Sequence, residues 1–172
     1  MADRKNLREF QVRLSERLRQ AASSASQSAW LGIEVDGRQL LVDLSEAGEI
    51  VAPNGAPAAV PLTHDWFRGM VNLRGSLYGV SDLGRFAGGE HAPTTKATRL
   101  LAFSPRLNLN GAIVVDRMLG LQNTSTMTED AAADEAAPRW LGRRWIDADG
   151  NRWTELSLER LASDERFLAV NR

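Results

Sequence analysis

The chain has 172 residues, 43% of them hydrophobic and 25% charged, with a net charge of -1, values that describe a globular domain able to bury a sizeable core. The near-neutral balance argues against a protein that coats nucleic acid, and the absence of cysteine removes disulfides, thiolate nucleophiles and Cys-ligated zinc and points to a reducing cytoplasm. A Met-Ala-Asp-Arg-Lys start and no apolar run near about 18 residues predict neither a signal peptide nor a membrane span.

Leu7, Phe10, Leu14, Leu18 and Ala21 recur at helical spacing among Arg4, Lys5, Arg8, Arg13, Arg17 and Arg19. The pattern predicts an amphipathic helix over 3–22 that docks on its own domain or on a partner helix. A Ser/Ala-rich linker follows from Ala21 to Ser28, so 1–28 reads as leader and 29–172 as the folded domain. From Trp30 the period becomes extended. Trp30–Val35 and Arg38–Leu44 flank Asp36-Gly37, a strong hairpin signal. Glu49-Ile50-Val51 begins a further strand, and the prolines at 53, 57 and 61 mark a loop. Thr63–Arg68 is expected to form one short helical turn capped by Thr63.

Two apolar segments, Met70–Leu73 and Leu77–Leu83, are joined by Arg74-Gly75. Gly75 permits a tight turn, which throws the Arg74 guanidinium outward as a fork for a carboxylate or a carbonyl. Arg85–Pro93 reads as loop. Arg99–Phe103 and Gly111–Val115 form a second strand pair, and Thr124–Pro138, polar and acidic, reads as a mobile loop with a turn of helix. Arg139–Asp147 and Arg152–Leu156 form a last hairpin over Asp149-Gly150-Asn151, followed by a short helix capped by Ser157 and an apolar tail, Phe167–Val170, tied to the body. The sum is a mainly β chain of about eight to ten short strands with helices at its ends. No β-helix-β alternation occurs, which favours one or two small barrels, and the order of hairpin, break and strand pair occurs over 30–83 and again over 99–156.

Signatures of chemistry are sparse. His64 and His91 stand far apart in loops without cysteine, and neither a phosphate-cradling glycine loop nor a nucleophile elbow occurs. Asp43, Asp82 and Asp116 each close an apolar strand, where a carboxylate accepts backbone N–H groups and starts a turn. Tryptophans 30, 66, 140, 145 and 153 serve core packing and barrel closure. No enzyme activity, metal or cofactor is expected, which leaves an adaptor or binding module. A small β-barrel nucleic-acid-binding module using the tryptophans and 139–153 is the alternative, and a degenerate hydrolase built on Asp82 or Asp116 is a third reading.

Gly69-Met70-Val71-Asn72-Leu73-Arg74-Gly75 followed by Asp82-Leu83 resembles the motif of the CheW-like coupling proteins. Leu41–Leu44 with Glu49-Ile50, Val114–Gly120, and Leu156–Leu161 look like that family's other signatures. The basic leader, the Trp30 start and the apolar tail are similar to the PilI branch, which serves type IV pilus twitching motility. The resemblance implies two SH3-like five-stranded barrels, about 30–98 and 99–165, sharing a hydrophobic junction, in a cytoplasmic protein at membrane-bound receptor arrays. It implies a CheA-type histidine kinase and a methyl-accepting chemoreceptor as partners, with no nucleic acid and no membrane insertion. By position it makes Arg74 with Asn72, Leu73 and Gly75 a partner-contacting loop and Glu49 a polar contact. It makes Ala47, Val71, Met118 and Leu121 the lining of a groove for the receptor tip helix, the kind of apolar trough that accepts an amphipathic helix. Gly79, Ser81 and the small Ala47 depart from the family pattern and imply a weaker or differently selective groove.

Overall fold

The computed structural model describes residues 11–18, 29–91, 93–132 and 134–172. Of the leader, 11–18 is a helix (α1) whose side chains are all exposed, Leu14 and Leu18 among them; the other residues of the expected helix and the linker lie outside the described residues.

Among the described residues, eleven strands form two sheets. They are β1 Ala29–Val35, β2 Arg38–Asp43, β3 Ala47–Val51, β4 Phe67–Leu73, β5 Ser76–Ser81, β6 Arg99–Phe103, β7 Gly111–Val115, β8 Arg117–Asn123, β9 Thr128–Asp130, β10 Leu141–Ile146 and β11 Arg152–Leu156. The first sheet runs β8-β1-β2-β11-β10-β9 and the second β3-β6-β7-β5-β4. The protein is mainly β, with two SH3-like subdomains. The sheets do not divide the chain near 98/99, since β6 and β7 pair with β3 and β5, while β1 and β2 pair with β8 and β11.

Each sheet repeats one plan. An outer strand pairs antiparallel with a hairpin (β8 on β1–β2; β3 on β6–β7), and the hairpin joins a second hairpin through a parallel pair (β2 with β11; β7 with β5). The inner strands are correspondingly apolar: Leu40, Leu41 and Val42 on β2 are buried, as are Ala112, Ile113 and Val115 on β7. The parallel strand then feeds a short helix in both subdomains, β5 into α2 (Leu83–Phe86) and β11 into α3 (Leu158–Leu161).

One core spans the sheets. It contains Ile33, Val42, Leu101, Phe103, Ile113, Leu156, Leu158 and Leu161 together with Trp66, Trp140 and Phe167. Phe167, on α4 (Glu165–Leu168), stacks on Trp66 at 5.8 Å and on Phe103 at 6.1 Å and meets Phe86 edge-on at 5.3 Å, which is what ties the tail down.

Several elements differ from the sequence expectation. Thr63–Arg68 makes no helix: Phe67 already begins β4, Thr63 bridges Asn171, and the Thr63 hydroxyl donates to the Val60 carbonyl instead of capping. Burial of Trp66 prevails over the local helical signal. The stretch read as loop from Arg85 includes the end of α2, which the Asp82 cap starts. In the acidic segment after Thr124, Thr128–Asp130 adds to the edge of β10 as β9.

Candidate partner-binding site

The β4–β5 turn is built from Arg74 at φ 49° and Gly75 at φ 85°, the two left-handed residues that a twist-compatible two-residue hairpin demands. Asn72 Oδ1 accepts the Gly75 N–H at 2.8 Å, fixing the loop from within. The Arg74 side chain is 85% exposed, and its Nε lies 3.0 Å from Glu49 Oε1. Glu49 belongs to β3 and Arg74 directly follows β4, the two outer strands of the second sheet, so the ion pair links the two edges of that sheet. An exposed pair of this kind adds little stability, and the guanidinium is free to exchange Glu49 for another carboxylate.

The four expected groove residues occupy different environments. Ala47 on β3 and Met118 on β8 are half-buried and pack against the shared core, one from each sheet. Val71 is half-buried on β4, and Leu121 on β8 is 68% exposed; neither belongs to that core contact. Leu73 is half-buried beside the turn, and Leu77 across from Asn72 is exposed. A Cβ on Gly79 would meet the Phe67 ring at 2.9 Å. The Phe67 side chain therefore fills the space that a larger residue would take.

Carboxylates anchor the turns and helix starts elsewhere on the body. Asp82 is 3% exposed; its Oδ1 caps α2 by accepting Arg85 N–H at 3.0 Å, while Oδ2 lies 3.6 Å from Arg68 Nη1 and 3.2 Å from His91 Nδ1. Asp43 accepts Ser45 N–H at 2.7 Å. Asp116, at the end of β7, reaches across to accept Asp36 N–H at 2.7 Å in the β1–β2 turn; burial pushes its carboxyl above the ordinary range, and that backbone bond opposes the shift. Arg85 grips Asp65 through Nε at 2.9 Å and Nη2 at 2.6 Å, and this hydrogen bonding holds the Asp65 carboxyl below its usual value.

Sequence reasoning missed Glu46. It is 8% exposed, with Oε2 accepting the Leu158 N–H at 2.7 Å and Oε1 the Ser157 hydroxyl at 3.1 Å. A lone acid between Ser45 and Ala47 carries no local signal of this, since its partners stand more than a hundred positions away. The tryptophans are structural for the most part: 66, 140 and 153 are buried. The indole N–H of Trp153 donates to Asp147 at 2.9 Å and that of Trp145 to Glu155 at 2.9 Å. That leaves little aromatic surface for stacking bases.

Two subdomains thus share one core, and a basic turn stands at the edge of one of them. The CheW-like domain family model matches residues 29–166, and the chain belongs to that family. It is a CheW-like coupling protein of chemosensory signalling and a homologue of PilI: it is 30% identical to Protein PilI of Pseudomonas aeruginosa over 135 residues, 73% of this chain and 75% of that protein. The fold is also that of the scaffolding protein TtCheW from Thermoanaerobacter tengcongensis, with a TM-score of 0.63 at 16% identity, covering 76% of this chain and 89% of that one. CheW-like scaffolds are non-catalytic. Among the described residues no helix is long and apolar enough to cross a membrane.

Proposed function

We propose that this protein couples a methyl-accepting chemoreceptor to a CheA-type histidine kinase in the cytoplasm, at receptor arrays of the system that controls type IV pilus twitching motility. Membership of the CheW-like family and similarity to PilI support the reading. The observation that carries it is the Arg74 turn: a non-glycine residue held at φ 49°, its side chain 85% exposed and paired with Glu49. Left-handed backbone at a charged residue costs conformational energy, and here it displays a guanidinium at the barrel edge. Arg74, with Asn72, Leu73, Gly75 and Glu49, contacts the kinase's CheW-like regulatory domain. Ala47, Val71, Met118 and Leu121 receive an apolar receptor helix. With both partners on one rigid body, receptor state biases kinase geometry through linked binding.

Titration of the kinase's regulatory domain against wild type and Arg74→Ala tests this. The variant is expected to bind about tenfold more weakly while its melting temperature stays within about 2 °C of wild type. Failure of wild type to bind would refute the coupling role; equal binding by the variant would refute the assignment of the turn.

A further inference from the structure

Strand β8 carries an extra residue relative to β1. Met118 stands opposite Ile33 and Gly120 opposite Gly32, so Leu119 bulges out of the register between them. The bulge turns Met118 and Leu121, three positions apart, onto one side of the sheet: Met118 lies across from Ile33 and Leu121 across from Leu31, and those two residues share a side of β1. Ile33 and Leu31 are buried in the core, Met118 is half-buried and Leu121 is 68% exposed. An apolar row therefore runs outward from the core and ends in water at Leu121. Ala29, across from Asn123, continues the same side two positions further along. The leader joins the body there.

Leu14 and Leu18, one helical turn apart on α1, present a second apolar surface on one side of that helix. They are 48% and 62% exposed, and neither packs against the core cluster. Eleven peptide steps separate Leu18 from Ala29, a maximum reach of about 36–40 Å. Leu121 lies two strand positions and one strand spacing from Ala29, roughly 8 Å. A tether of this length holds the two apolar surfaces at an effective concentration on the order of millimolar, well above that of a second copy in a dilute solution.

We propose that α1 seats Leu14 and Leu18 on the Met118–Leu121 row of its own chain, and so occupies part of the groove assigned above to the receptor helix. The competition rests on that assignment, whereas the seat itself does not. Both occupants offer the same chemistry, an apolar stripe on a helix. The leader is then a tethered competitor that a receptor helix must displace, and the apparent affinity of the receptor falls with the fraction of molecules whose row is free. The structure shows the released arrangement, in which every side chain of α1 is exposed.

Because the chain has no cysteine, Leu18→Cys with Leu121→Cys places a unique thiol pair at two exposed positions. In dilute full-length protein treated with oxidised glutathione, the pair should close within one chain and shift the monomer band on a non-reducing gel. Adding Leu14→Ser should slow closure at least about fivefold. Failure to close, closure at an unchanged rate with Leu14→Ser, or disulfide-linked dimers in place of the shifted monomer would each overturn the seat, the last by giving the row to a second copy. The competition is read with the soluble cytoplasmic fragment of a methyl-accepting chemoreceptor. Leu14→Ser with Leu18→Ser should bind it about threefold more tightly than wild type, and the oxidised cysteine pair at least about tenfold more weakly than the reduced pair. Equal binding within both comparisons would overturn the competition. Binding by none of these proteins would refute the groove assignment, with the cross-link still deciding the seat.

Discussion

Replacing Glu46 by alanine tests whether a single buried carboxylate fixes the relation between the two subdomains. Glu46 sits in the turn between β2 and β3, where its backbone is held by Asp43 and Ser104, and its side chain satisfies the N–H of Leu158, a residue that is itself fully buried. That N–H is one of the first donors of α3, which no helical carbonyl can reach. Losing a hydrogen bond to a charged acceptor removes about 1.5–3 kcal/mol, and the orphaned buried donor has no water to turn to. The Ser157 hydroxyl bond adds about 0.5–1 kcal/mol, and relief from burying a carboxylate offsets part of the total. The net expectation is a loss of about 2–3 kcal/mol, or roughly 5–10 °C in melting temperature for a chain of this size. Glu46→Gln keeps an oxygen acceptor for Leu158 and should lose about 1 kcal/mol. Urea unfolding of both variants and of Ser157→Ala, with the Glu46→Ala/Ser157→Ala double variant, gives the coupling directly; the double should lose less than the sum of the singles. Glu46→Ala unfolding within about 0.5 kcal/mol of wild type would refute the reasoning.

Gly69 adopts φ 123°, and an added Cβ would collide with the Ala58 carbonyl; Gly69→Ala should lose on the order of 3 kcal/mol by urea unfolding, since both backbone strain and a clash oppose it. Phe167→Ala should lose about 3–5 kcal/mol, because the ring completes the cluster with Trp66, Phe86 and Phe103, and a melting point near that of wild type would show the tail to be dispensable. The Asp147 carboxyl is lowered to about 2, chiefly by the Trp153 indole N–H and then by the Asn151 side chain. Its folded value lies below the usual 3.8, so its stabilisation is fully present above that value and disappears as pH falls through about 2. The stability deficit of Asp147→Asn should accordingly shrink between pH 4 and pH 2, measured as urea midpoints across that range.

The hairpins were legible because their information is local. Asp36-Gly37, Arg74-Gly75 and Asp149-Gly150 sit at turns, with positive φ at Asp36, Gly37, Arg74, Gly75 and Gly150. The Ser157 cap was legible for the same reason, its side chain accepting Arg160 N–H at 3.2 Å. Sheet membership was not legible, because the parallel pairs join Leu40 to Thr154 and Gly79 to Gly111, and nothing in either segment names its mate. β8 was obscured by a register shift on β1 between Gly32 and Ile33 and by Gly120 at φ 76°. These interrupt the alternation on which a strand is recognised. At the site, the residues alone supplied the Arg74 turn, whereas Glu49 came only through family resemblance; their 3.0 Å pairing depends on barrel closure, which brings two outer strands together and leaves no pairwise pattern in the chain. The opening glycine of the motif has a physical account of its own. Without a side chain at 69, Ala58 can lie across β4 and exchange backbone hydrogen bonds with Met70 at 2.8 and 2.9 Å.

Among the described residues the buried charged ones are Glu46 and Asp82, and the repeated plan of the sheets explains why they sit where they do. Each subdomain turns its parallel inner strand, β11 or β5, directly into a short helix, so each must satisfy helix-start N–H groups next to apolar side chains such as Leu158 and Leu83, away from water. In one corner Asp82 is itself the cap. In the other, the cap is Ser157, whose hydroxyl serves Arg160, and the remaining Leu158 donor is met by Glu46 from the β2–β3 turn. The same backbone requirement is thus met locally in one barrel and by a long-range contact in the other. The local solution leaves Asp82 Oδ2 to Arg68 and His91, a polar corner on one subdomain. The long-range solution makes the opposite corner part of the joint between subdomains, so a substitution that frees Glu46 acts on their relative placement, whereas one that frees Asp82 acts within a single barrel.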